Sequence, residues 1–190
     1  MGIGTVILII IVIVVVLVIA VVAWFVSGQK NLVHAEELVG NSLSQIGVQQ
    51  ASRWDALNTL ADLTKGYSDQ EYNTIMDTIR ARQGIDPKSS ADVVDRQEGM
   101  IQQGLGRVSA LAEAYPDLKS NTVYLKTMDE VKNYEDNVRM SRMVYNDSVT
   151  KFNRLVRSLP GAWVAGNLGF APREYLQDDP TKANMPNMTR

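Results

Sequence analysis

The sequence contains no cysteine and a single histidine, His34. That removes disulfides, thiolate nucleophiles and Cys-ligated zinc or iron–sulfur sites, and leaves too few imidazoles for a histidine-rich metal centre in one chain. Neither sign of charge dominates: 19 Lys+Arg stand against 21 Asp+Glu, a net charge of -2. So even a balance carries no electrostatic footprint for nucleic acid, and no nucleic-acid partner is expected. Proline is scarce, with only Pro87 and Pro116 between the apolar N-terminal run and Leu159, and no alternating run is long enough for a sheet.

The signatures of common chemistry are missing too. Gly99 to Gly104 has the spacing of a phosphate-binding loop, but Leu105 and Gly106 stand where Lys and Ser/Thr are needed. Ser148 and Lys151 match S-x-x-K mid-helix without its companion motifs. His34 and Glu37 lie one helical turn apart, but a di-metal bundle needs a second Glu-x-x-His unit. No cofactor, no metal and no enzymatic activity are expected.

What is present is a sharp division of character. Ile3 to Val26 contains no charged residue, and as a helix it would span about 36 Å, enough to cross a hydrocarbon core of about 30 Å. Trp24 and Phe25 sit where an interfacial aromatic belt belongs. A cleaved signal peptide fits less well, because the apolar run is long, no basic segment precedes it and no small-residue cleavage site comes after it. Residues 1–26 therefore read as an uncleaved membrane anchor. Lys30 lies close behind it, so the positive-inside rule places the C-terminal part in the cytoplasm by the margin of one lysine.

Residues 27–159 read as an all-α antiparallel helical bundle with long helices joined by short connections. The first helix, about Asn31 to Lys65, carries Leu32, Val39, Leu43, Ile46, Leu57 and Leu60 at steps of three and four. Ser68 with Glu71 predicts a capping box opening a short helix that Gly84 ends. Asp86-Pro87 predicts the start of a third helix, whose Gly99, Gly104 and Gly106 mark either weakness or close approach to a neighbour. In the last helix, about Asn121 to Leu159, Tyr124, Val131, Val138, Tyr145, Phe152 and Leu159 recur every seven residues, a coiled-coil-like seam. Residues 160–190 form a tail after Pro160. Its Trp163 and Phe170 are expected to pack on the bundle, with contact to a membrane surface or a second subunit as the alternative, and from Gln177 onward it is expected to be loosely ordered.

Polar residues interrupt these apolar seams. Glu135 and Arg142 share the register of Met128, Val149 and Val156, and Gln50 and Arg53 break the stripe from Ile46 to Leu57. Unpaired buried charges cost several kcal/mol, so Gln50, Arg53, Glu135 and Arg142 are expected to form an interior polar network, with at least one arginine paired to Glu135. A catalytic carboxylate at Glu135 is the lesser alternative.

At these residues the chain resembles the LemA family of bacterial membrane-anchored helical proteins. The likeness runs through Asn31-Leu32-Val33, Arg53-x-Asp55, Lys65-Gly66-Tyr67, Arg80-Ala81-Arg82 and Glu113-Ala114-Tyr115-Pro116-Asp117-Leu118-Lys119. It continues through Glu135-x-Asn137, Arg142-x-x-Tyr145-Asn146-Asp147, Phe152-Asn153 and Leu168-Gly169-Phe170. One departure is the run Asp55-Ala56-Leu57-Asn58-Thr59-Leu60-Ala61, where the family usually has a proline. Its absence implies a straighter first helix and a divergent member. The resemblance implies a helical bundle behind an N-terminal anchor in the bacterial cell membrane, single-pass, with the bundle inside and no established enzymatic activity or cofactor. The expected function is that of a non-enzymatic scaffold or interaction module at the membrane surface. The alternative is an adaptor or accessory subunit of a membrane protease or signalling complex. The expected partners are the membrane, further copies of the chain in a homo-oligomer, and an unnamed protein.

Overall fold

The computed structural model describes residues 2–159 and 161–177. Of the tail expected to be loosely ordered from Gln177 onward, residues 178–190 lie outside the described residues, as does Pro160, while Gln177 itself is bonded to Asp95 and Arg142. Among those described, the chain is all-α: α1 (Ile3–Thr64), α2 (Asp69–Arg80), α3 (Ala91–Ala114), α4 (Pro116–Lys119), α5 (Thr122–Arg157) and α6 (Gly161–Leu168). Contacts divide it into two compact units, Met1–Leu38 with Val149–Arg173 and Val39–Ser148 with Glu174–Arg190. Both α1 and α5 contribute to each.

The apolar N-terminal run passes without a break into the amphipathic turns of the same helix, since α1 is 62 residues long. Every residue from Ile3 to Trp24 is exposed, and α1 is the one described helix long and apolar enough to cross a membrane. In the first unit, Leu32 and Ala35 are buried with Phe152, Val156, Val164 and Ala165. Here the tail is helical: α6 closes with a bond from the Phe170 N–H to the Ala165 carbonyl at 3.0 Å, around Gly169 at φ +78°. That is a Schellman ending, which needs the left-handed conformation glycine adopts without strain. It turns Phe170 back edge-on to Phe152, with ring centroids 6.3 Å apart.

In the second unit, contacts pairing Ser42 with Ser148 and Arg53 with Glu135 show α1 and α5 running antiparallel. Gln50 against Val94 and Gly104 against Leu57 show α1 and α3 running parallel. The return between them is only partly helical. Ser68 caps α2, its Oγ accepting from the Glu71 N–H at 3.3 Å. The helix stops at Arg80 rather than at Gly84, and the chain then descends without regular structure along α1. Arg82 meets Asp55, Ile85 lies on Gly47 and Pro87 on Gly40. An extended residue covers about 3.3 Å where a helical one covers about 1.5 Å, so a short segment suffices for the descent. Asp86 does not cap α3. Its Oδ1 accepts from the Lys88 N–H at 2.7 Å and the Ser89 hydroxyl at 3.2 Å, an Asx turn that defers the helix to Ala91.

The hydrophobic centre of this unit joins Trp54, Leu57 and Leu60 of α1, Ile75 of α2, Ile101 and Val108 of α3, Leu118 of α4, and Val131 of α5. The seven-residue seam of α5 is buried from Tyr124 to Phe152, but Leu159, beyond the end of the helix, is 84% exposed. Of the three glycines in α3, only Gly104 marks close approach: a Cβ there would lie 2.6 Å from Leu57 Cδ2, whereas Gly99 and Gly106 face open space.

Candidate functional site

The most concentrated polar chemistry inside the helices is built around Arg53. It sits on the buried stripe of α1, one turn after Gln50, and its side chain is 1% exposed. Its Nη1 donates to both carboxylate oxygens of Glu98 on α3, at 2.7 and 2.6 Å. Nη2 reaches Glu135 Oε1 on α5 at 3.4 Å. Gln50 Nε2 donates to the Val94 carbonyl at 3.4 Å and to Glu98 Oε2 at 3.3 Å, and two acceptors on one side fix the orientation of its amide. Gln102 donates to Glu98 Oε1 from the solvent side at 3.1 Å. One arginine thus ties α1, α3 and α5 at a single level.

The interior network expected from sequence is redrawn by this geometry. Gln50 and Arg53 are buried, but Glu135 has 46% of its side chain exposed, because its position on α5 faces the rim. The inward carboxylate is Glu98, 16% exposed, which carries most of the pairing. Arg142 belongs to a different cluster. It donates to Asp95 Oδ1 at 2.6 Å and to the Gln177 carbonyl, while the Gln177 N–H donates to Asp95 Oδ2 at 3.2 Å. Glu98 was legible in principle, because it lies four residues after Val94 and three before Ile101, on the same stripe.

Sequence reasoning also passed over two asparagines of α5 seven residues apart. In the second unit, Asn146 Oδ1 accepts from the Leu176 N–H at 3.0 Å and its Nδ2 donates to the Leu176 carbonyl at 3.1 Å. The Tyr145 hydroxyl donates to the Glu174 carbonyl at 3.0 Å. In the first unit, Asn153 holds Arg173 the same way, at 2.8 and 2.9 Å. Each carboxamide replaces the partner an extended backbone would otherwise lack. Each asparagine comes directly after a seam aromatic, Tyr145 or Phe152, and that repeated pair is the signal that could have found them.

Chemically, these arrangements hold helices and chain together. A cleft of about 360 Å³ in the first unit, lined by Glu36 and the segment from Leu168 to Arg173, presents a carboxylate and a guanidinium already paired at 2.8 Å. Among the described residues, no group of three or more His, Asp or Glu side chains is placed to hold a metal.

An all-α bundle continuous with an exposed apolar helix defines a membrane-associated helical protein. The LemA family profile matches residues 42–189, and the chain belongs to the LemA family. It is 30% identical over 83 residues to magnetosome protein MamQ 2 of Paramagnetospirillum magneticum, which covers 44% of this chain. It is 28% identical over 130 residues, 66% of this chain, to Protein LemA of Metamycoplasma hominis. The chain spans 30% of the length of that MamQ relative and 58% of that LemA relative.

Proposed function

We propose that the protein is a non-enzymatic, single-pass membrane scaffold that presents its helical bundle to other proteins at the bilayer surface, with the bundle in the cytoplasm. The observation that carries this reading is the uninterrupted α1, which joins an apolar, fully exposed stretch to a helix whose later turns bury Leu43, Ile46, Leu57 and Leu60. The same helix thus supplies both the candidate span and, through Trp54, Leu57 and Leu60, part of the bundle's hydrophobic centre.

Self-association is the second element. Met140, Met143 and Val144 recur at helical spacing on α5 and are exposed, on the face turned away from buried Val138 and Tyr145. A stripe of that kind, rich in adaptable methionine, suits a second copy of the chain. Proximity labelling in cells with the full chain tests the scaffold role. A reproducible set of membrane-surface neighbours, lost when residues 3–26 are deleted, is expected. Identical neighbours with and without the anchor would contradict it.

A further inference from the structure

The first unit carries an aromatic and basic surface that neither the anchor nor the polar centre uses. Trp163 of α6 stacks on Trp24 with ring centroids 6.2 Å apart and planes 25° apart, and meets Phe25 edge-on at 5.8 Å. Trp24 and Phe25 end the apolar run of α1, so Trp163 lies at the depth where that run meets the polar boundary. Gly28 holds α6 at this level, with its Cβ position 3.2 Å from Val164 Cγ2. Only one side of α6 is satisfied: Val164 and Ala165 are buried, while Trp163 remains 55% exposed and Leu159, just before the helix, 84% exposed.

Charge is distributed in the same sense. The whole chain is -2, yet the first unit has five basic residues, Lys30, Lys151, Arg154, Arg157 and Arg173, against the acidic Glu36 and Glu37. Arg173 and Glu36 neutralise each other at 2.8 Å. Lys151, Arg154 and Arg157, near the end of α5, are exposed and have three-residue spacing, so they share one side of the helix.

We infer that α6, with Leu159 and Trp163, is a second membrane-contacting element lying in the headgroup layer of an anionic leaflet beside the end of the span. Lys151, Arg154 and Arg157 face the lipid phosphates. The inference rests on α1 crossing the bilayer. Tryptophan is at home where one end of the ring is apolar and the other wet, and basic side chains near an anionic leaflet are attracted within a Debye length. The element is continuous with the span, which supplies the lipid surface as its occupant.

The cysteine-free chain makes the test clean. Nitroxide labels on Leu159→Cys, Val22→Cys and Lys126→Cys in the full chain, all at exposed positions, would be read by relaxation with oxygen, which partitions into lipid, and with a water-soluble nickel chelate. The probes are phosphatidylcholine vesicles with and without phosphatidylglycerol. The expected result is that the label at 159 is shielded from nickel in anionic vesicles, the label at 22 favours oxygen throughout, and the label at 126 stays in water. Shielding at 159 should fall in neutral vesicles, at high salt, and on adding Arg154→Gln/Arg157→Gln. A lipid signal at 22 with a water signal at 159 overturns the inference and leaves the span standing. A water signal at 22 overturns both. Equal shielding at 159 in neutral and anionic vesicles overturns the assignment to an anionic surface.

Discussion

Arg53 and Glu98, 45 residues apart on α1 and α3, meet through a single guanidinium nitrogen that reaches both carboxylate oxygens. With Gln50, this pair sets the level at which two parallel helices lie against each other. The wider arrangement separates a residue that the interior depends on from one at its edge. Glu98→Ala strands a buried cation and should destabilise the bundle by about 3–5 kcal/mol. Glu135→Ala removes a half-exposed partner and should cost about 0–1 kcal/mol. Arg53→Met with Glu98→Leu should recover much of the loss, because a packed apolar pair carries no desolvation penalty. Thermal melts of the full chain in detergent distinguish these outcomes. Equal losses for the two glutamates would mean that the 3.4 Å contact to Glu135 matters as much as the shorter ones.

The glycines of α3 predict changes of opposite sign. Gly99→Ala and Gly106→Ala place a methyl in open space on a helix and should each add up to about 1 kcal/mol of stability. Gly104→Ala drives a methyl into fully buried Leu57 and should destabilise by roughly 1–3 kcal/mol. Denaturation midpoints of the three single variants check the order. A stabilising Gly104→Ala would mean that Leu57 has room to move.

Much of this architecture is readable from residue spacing, and the places where it is not have physical causes. The α5 seam is visible because side chains seven apart share one face, and burial tracks it from Tyr124 to Phe152. It fails at Leu159 because α5 itself stops at Arg157, and past its end the seven-residue spacing no longer keeps a side chain on the buried face. The capping serine of α2 is local chemistry and is legible, while Asp86 misleads because the same side chain serves an Asx turn as readily as a helix start. Glu98 is hidden by its type, since a glutamate on a helix is ordinarily solvated and only its place between Val94 and Ile101 betrays it. The tail is hidden for another reason. Its backbone is held by carboxamides from α5: the repeated aromatic–asparagine pair marks the donors, but nothing in their spacing names Arg173 and Leu176 as the residues they hold.

Asn153→Ala and Asn146→Ala test that pairing. Each removes two hydrogen bonds to an extended residue, at Arg173 and Leu176 respectively. Each should cost about 1–3 kcal/mol and speed amide exchange at the residue it held. Trypsin cleavage after Arg173 should accelerate in Asn153→Ala, because the backbone there is freed. Unchanged cleavage and exchange would show that buried Leu176 holds the segment unaided.

Self-association through the exposed α5 stripe predicts that the full chain in nanodiscs has a mass above that of one copy. Met143→Asp should reduce it to one copy without lowering the melting temperature, since Met143 is 62% exposed and lies outside the buried core. A monomer before substitution would contradict the assignment of that stripe to a second copy.

The claim on which the rest depends is that α1 crosses the membrane once and holds the bundle on the inner side. Single-cysteine variants Gly2→Cys and Lys126→Cys of the otherwise cysteine-free chain, expressed in spheroplasts and exposed to a membrane-impermeant maleimide, measure this directly. A single span with the bundle inside predicts that position 2 labels in intact spheroplasts and position 126 only after permeabilisation. Labelling of both positions on the same side of the membrane would contradict the span, and the reverse pattern would place the bundle outside.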